Sequence, residues 1–224
     1  MPSTIKFALF ILHLWAGILF TGAMPAMDFH RLLEREKYED VASALNMNPD
    51  LKDLKGGEHP PVHPLVTAVT GMIDPTPDRH VVQLYASDSK LKIIRLLIET
   101  YGADVNMKIE EMGVRIIDIA ASVANGQVVD LLLESGANPL LPIEVMGTTF
   151  STVQIACFWG NFDAMEAIVR KAPISLKAFE NITWGDQVPG VPEIFEKNIP
   201  ACKEKYLEIV AALEASKKTD SEEL

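Results

Sequence analysis

Apolar residues from Asp28 onward recur three and four positions apart rather than two apart. That is the period of helices with one buried face and one wet face. The first such stretch is Phe29-His30-Arg31-Leu32-Leu33, which Asp28 can open by offering its carboxylate to the unpaired amides of a first turn. A second, from Tyr38 to Leu45, stops at Asn48-Pro49, because proline has no N–H to donate and disfavours helical backbone just before it. Together they predict a helix hairpin. Short amphipathic helices continue along the chain, so the expected fold class is all-α.

Laid against itself, the chain repeats. Ile94-Arg95-Leu96-Leu97-Ile98-Glu99 with Gly102-Ala103-Asp104 lines up with Val129-Asp130-Leu131-Leu132-Leu133-Glu134 and Gly136-Ala137-Asn138. A further copy, Ile155-Ala156-Cys157-Phe158-Trp159-Gly160-Asn161 with Ala164 to Val169, follows Ile119-Ala120-Ala121 by 36 positions. Two helices in a period of about 35 residues mark a stacked helical repeat. In these residues the chain resembles the ankyrin-repeat family, most closely over residues 110–139. Gly113 stands at the hairpin turn, Ala120-Ala121 at the small pair of the first helix, and Val128 to Leu133 in the second helix, which Gly136-Ala137-Asn138 ends. Small residues let neighbouring repeats approach, and Gly136 can take the left-handed conformation that stops a helix.

The resemblance implies a solenoid of about four to five helix-pair repeats, above the roughly three that such an array needs to stand alone. The family's Thr-Pro-Leu-His signature is replaced by Arg115-Ile116-Ile117-Asp118 and then by Ser151-Thr152-Val153-Gln154, and His63-Pro64-Leu65-Val66-Thr67-Ala68 comes closer to it. Two loop insertions interrupt the stack. One runs from about Met72 to Ser89 with Pro75 and Pro77, its partner helix resuming near Leu91. The other runs from Phe179 to Pro200, where Gly185, Pro189, Gly190, Pro192 and Pro200 argue against helix until Lys203 to Ser216 forms a terminal cap. The domain expected therefore spans residues 24–216, with residues 217–224 as a flexible acidic tail.

Lys6, the apolar run Phe7 to Phe20, and Thr21-Gly22-Ala23 have the layout of a signal peptide cut after Ala23, residues 1–23. The run is shorter than the roughly 20 residues of a membrane span. Cleavage into a secretory or periplasmic route is the expectation, and an uncleaved anchor through residues 7–23 is the alternative. Asn181-Ile182-Thr183 is a glycosylation sequon on that route. The last four residues, Ser221-Glu222-Glu223-Leu224, are similar to the Lys-Asp-Glu-Leu retention signal at the final two positions, and by charge at the one before.

Composition narrows the function more than it names it. With 48% hydrophobic and 23% charged residues the chain can bury a substantial core, which excludes wholesale disorder. Cleavage would remove one lysine and no acid, taking the net charge from −11 to −12. Clustered cations that would hold nucleic acid are absent. No nucleophile elbow, phosphate loop or His-Glu-x-x-His is present, so no enzyme and no cofactor is expected. His59 and His63 are four apart, but Pro60, Pro61 and Pro64 deny the helix that would align them on a metal. Two cysteines are too few for a disulfide scaffold. Cys157 falls where the family places a small buried residue and reads as an inert core thiol, while stacking leaves pairing with Cys202 open.

What remains is a binding module for another protein. In the family the two positions after the small pair face the concave side, which here are Ser122-Val123 and Phe158-Trp159. Glu111, Met112 and Val114 at one hairpin, with Phe150 at the next, would extend that strip. An aromatic pair at positions that meet solvent suits a partner surface. The competing reading has the segment Phe179 to Pro200 fold back over Phe158-Trp159. The alternative functions are a retained chaperone-like or structural scaffold and, least favoured, an enzyme built on the insertions.

Overall fold

The computed structural model describes residues 24–222, apart from residues 57–62, 72–85, 110–112, 146–147, 173 and 175–190. The described chain is mostly helical: α1 (Ala26–Glu34), α2 (Tyr38–Met47), a 3-10 turn (Pro49–Asp53), α3 (Pro64–Thr70) and α4 (Asp88–Arg95), which widens into a π turn over Leu96–Thr100. A hairpin of β1 (Lys108–Ile109) and β2 (Val114–Arg115) leads to α5 (Ile116–Val123) and α6 (Gly126–Glu134). A second hairpin, β3 (Ile143–Val145) and β4 (Thr148–Phe150), leads to α7 (Thr152–Phe158), α8 (Phe162–Lys171) and the long α9 (Val191–Glu222). Helices α1, α3, α5 and α7 pack each on the next, as do α2, α4, α6 and α8, while α9 closes the stack against both α7 and α8.

The packing follows from the repeated residue pattern. Ile116, Ile117, Ala120 and Ala121 of α5, and Val128, Val129, Leu131 and Leu132 of α6, are all buried, so each helix meets its partner and its neighbours through one apolar face. Leu97, Leu131, Leu132 and Ile168 lie buried in one continuous cluster. Burying such a side chain contributes about 1.5–3 kcal/mol. At Gly136, φ of 93° ends α6, and the Ala137 amide reaches back to the Leu132 carbonyl at 2.9 Å. A side chain in that conformation would be strained.

Several boundaries differ from the sequence expectation. Asp28 does not cap α1 but sits inside its first turn, where a carboxylate favours the positive helix end, with Pro25 ahead of the helix. α4 begins at Asp88 rather than near Leu91 because Ser87 Oγ accepts the Lys90 amide at 3.0 Å. Pro200 does not end the second insertion: α9 runs through it from Val191 and on to Glu222, past the position where the acidic tail was expected to loosen. An interior proline costs about 3 kcal/mol. Cys202, Tyr206 and Ile209, buried at helical spacing, offset it.

Cys157 and Cys202 form a disulfide with Cα atoms 5.8 Å apart, which corrects the inert-thiol reading of Cys157. The local pattern around Cys157 is that of a small core residue, and only the return of α9 across α7 brings Cys202 to it.

Candidate partner-binding face

The two hairpins stand side by side, β2 against β3, and lead into the starts of α5 and α7. Arg115 at the end of β2 joins them: its guanidinium donates to the carbonyls of Leu141 and Pro142, each at 3.1 Å. Asp118, one turn into α5, accepts the Arg115 amide at 2.9 Å and the Thr152 hydroxyl of α7 at 2.6 Å. Its carboxyl titrates above its ordinary range because burial disfavours the charge, opposed by the bonds from Thr152 and Arg115 and by the Arg115 charge. At the other end of these helices, Asn161 Nδ2 donates to the carbonyls of Ala121 at 3.1 Å and Ala124 at 2.7 Å, while its Oδ1 accepts the Ala164 amide at 3.2 Å. One side chain thus caps α8 and closes the C-terminal end of α5 in the previous pair. Asn106 does similar work between loops, donating to the Gly136 carbonyl at 2.9 Å and accepting the Asn138 amide at 2.9 Å.

Within this frame the predicted binding residues separate. Val114 on β2 is half-buried, as are Ser122 and Val123 at the end of α5, where the Ser122 hydroxyl donates to the Ile119 carbonyl at 2.7 Å. Phe150 is a correction: it is 4% exposed and belongs to the core. Strand alternation sets it opposite Ile143, itself buried, so the ring points inward. Phe158 and Trp159 close α7, half-buried, with ring centroids 4.9 Å apart in an edge-to-face arrangement. Helix α9 reaches this corner, where Asn198 Nδ2 donates to the Phe158 carbonyl at 2.8 Å. The expected covering segment, Phe179 to Pro200, therefore contributes through Asn198 of α9. Glu111, Met112, Asn181, Trp184 and Val188 lie outside the described residues.

Exposed ion pairs join the second helices of successive pairs. Arg95 lies 3.8 Å from Glu134, which in turn meets Lys171 at 3.5 Å, so α4, α6 and α8 are linked by exposed ion pairs worth at most about 1 kcal/mol each. Among the described residues no group of three His, Cys, Asp or Glu side chains is placed to hold a metal ion, and no helix is long and apolar enough to cross a membrane. His63 caps α3, its Nδ1 accepting the Leu65 amide at 3.1 Å.

Arg115, Asp118, Thr152 and Asn161 were not singled out as a site, although the spacing of three between Arg115 and Asp118, and between Ser151 and Gln154, is a visible helix-start signal. Ser151 and Gln154 do close that turn, with the Ser151 amide donating to Gln154 Oε1 at 2.7 Å. The chain matches no family model and no curated protein.

Proposed function

We propose that this chain is a non-catalytic protein-binding module of ankyrin-repeat type, carried by an exported protein. The observation that supports it best is the recurrence of packing between successive helix pairs, α1 on α3, α3 on α5 and α5 on α7 along the first helices and α2 on α4, α4 on α6 and α6 on α8 along the second, with Thr152 bonded to Asp118 and Asn161 to Ala121 and Ala124 across one such step. Contacts that join only neighbours are the mark of a repeat array, whose loops and first helices form one extended face. Phe158 and Trp159 at the end of that face are the anchor, with Ser122, Val123 and Val114 along it. Aromatic rings on a half-buried edge contribute strongly when a partner removes them from water. The Cys157–Cys202 bond supports the exported reading, since disulfides persist in oxidising compartments.

Trp159→Ala tests the anchor, measured for unfolding free energy and for capture of the partner by the tagged mature protein from its own compartment. Retained stability with lost capture is expected. A loss of about 2 kcal/mol or more with capture intact would mean that the ring only packs against α9. For the export route, mass spectrometry of the natural protein should find an N-terminus near Met24, and Met1 would overturn cleavage.

A further inference from the structure

Beside the apolar core that the first helix pair shares with the rest, two buried histidines lie at the junction in different surroundings. His30 of α1 is 1% exposed and His63, at the start of α3, is 7% exposed. His30 Nδ1 lies 2.7 Å from the Thr67 hydroxyl of α3, and its Nε2 lies 3.1 Å from the Leu54 carbonyl, just past the 3-10 turn. A carbonyl can only accept, so Nε2 carries the hydrogen and Nδ1 takes the one from Thr67. At His63 the logic runs from the backbone: the Leu65 amide can only donate, so Nδ1 is bare and the hydrogen on Nε2 faces Asp53 of the turn at 3.5 Å. Each ring is therefore complete in one neutral form.

We propose that His30 and His63 form an acid-operated latch between the first helix pair and the rest of the stack. A second proton on either ring must go to Nδ1. At His63 it meets the Leu65 N–H and abolishes the cap of α3. At His30 it forces the Thr67 hydroxyl to turn from donor to acceptor, so the contact stays but the ring carries a charge where it is 1% exposed. Gly56 packs against the His30 ring, where a Cβ would come within 2.5 Å of its Cδ2. With that cap lost and a charge enclosed beside the apolar face of Phe29 and Leu33, α1 and the 3-10 turn loosen from α3 and uncover that face.

The charged neighbours do not cancel the effect. Burial holds both rings below the ordinary histidine value; Glu34 and the Leu54 carbonyl oppose this at His30, and Asp53 opposes it at His63, where Lys52 and His30 reinforce it. Helix α3 carries no charged residue, and α2 turns Val41, Ala44 and Leu45 inward while Glu39 and Asp40 stay exposed. The unfolded chain then binds more protons than the folded one below the ordinary value of 6.5, so stability present above it is lost as pH falls through that window.

The test is amide hydrogen exchange of the full chain at pH about 7.4 and about 5.5, corrected for the intrinsic rate. Protection of α1 and α3 should drop about tenfold or more on acidification while α8 keeps its own. No drop, or an equal drop in α8, overturns the latch. His63→Thr, which keeps a capping oxygen, and His30→Gln, which keeps a donor and an acceptor, should retain protection at neutral pH and lose the acid response; an unchanged response in both overturns it. Should either variant be unfolded at neutral pH, ring resonances of the natural protein decide. Titration of His30 and His63 below 6.5, together with loss of α1 protection, supports the latch, and titration at or above that value overturns it.

Discussion

The two ends of the stack are closed by different chemistry. At the N-terminal end, α1 lies on α3 through Phe29 and Leu33 and through polar bonds made by His30 to Thr67 and to the Leu54 carbonyl. At the C-terminal end, α9 lies across α7 and α8, tied by the Cys157–Cys202 bond, by Tyr206 donating to the Ile174 carbonyl at 2.9 Å and by Asn198. Terminal units of an array have a neighbour on one side only and need some further device to stay docked. One end uses buried groups whose charge depends on pH, the other a bond that depends on redox state. Each end can therefore be loosened by a condition that leaves the other intact.

The largest expected effect comes from breaking the C-terminal device. The disulfide spans 45 residues, and closing a loop of that length in the unfolded chain is worth roughly 4 kcal/mol in the chain-entropy account. Denaturant unfolding with and without reductant, checked with the Cys157→Ala/Cys202→Ala pair, should show a loss of that order. Exchange should rise first in α9 and α8, with α1 and α2 unchanged at neutral pH. A loss under about 1 kcal/mol would mean that α9 is held by packing alone.

Next comes the middle, where the two ends meet through shared core. Leu132→Ala removes a fully buried side chain from α6 and should cost about 2–5 kcal/mol by denaturant unfolding. Because helix pairs lean on their neighbours, protection should fall on both sides, in α4 and in α8. A cost under about 0.5 kcal/mol would show that the helix register is wrong. The smallest effect sharpens the N-terminal half of the comparison: at neutral pH, where His63 is already uncharged, His63→Thr should change global stability by about 0.5 kcal/mol or less, since one good cap replaces another.

Much of the helix-pair pattern was legible because it is local. The recurrence of Leu97, Leu131, Leu132 and Ile168 on one face, the stop at Gly136 and the turn at Gly113 are all encoded within a few residues of where they act. The binding face was legible only in part. Val114, Ser122 and Val123 are half-buried along the hairpin and helix edge, but Phe150, read as a surface ring, is core because hairpin alternation pairs it with Ile143. Nothing near Phe150 distinguishes the two faces of a three-residue strand.

By itself, then, the sequence determined which face of each helix is apolar, where most of the helices stop and that they recur in pairs, since propensity, capping and periodicity act over one or two turns. Tertiary structure decided what each face meets. It joined Cys157 to Cys202, carried α9 helically through Pro200, turned Asn161 toward the carbonyls of Ala121 and Ala124, and enclosed His30 and His63 between α1, the 3-10 turn and α3. These outcomes depend on residues that lie far apart along the chain. Which groups lose their water, and which gain a partner in exchange, is settled only when the helices pack.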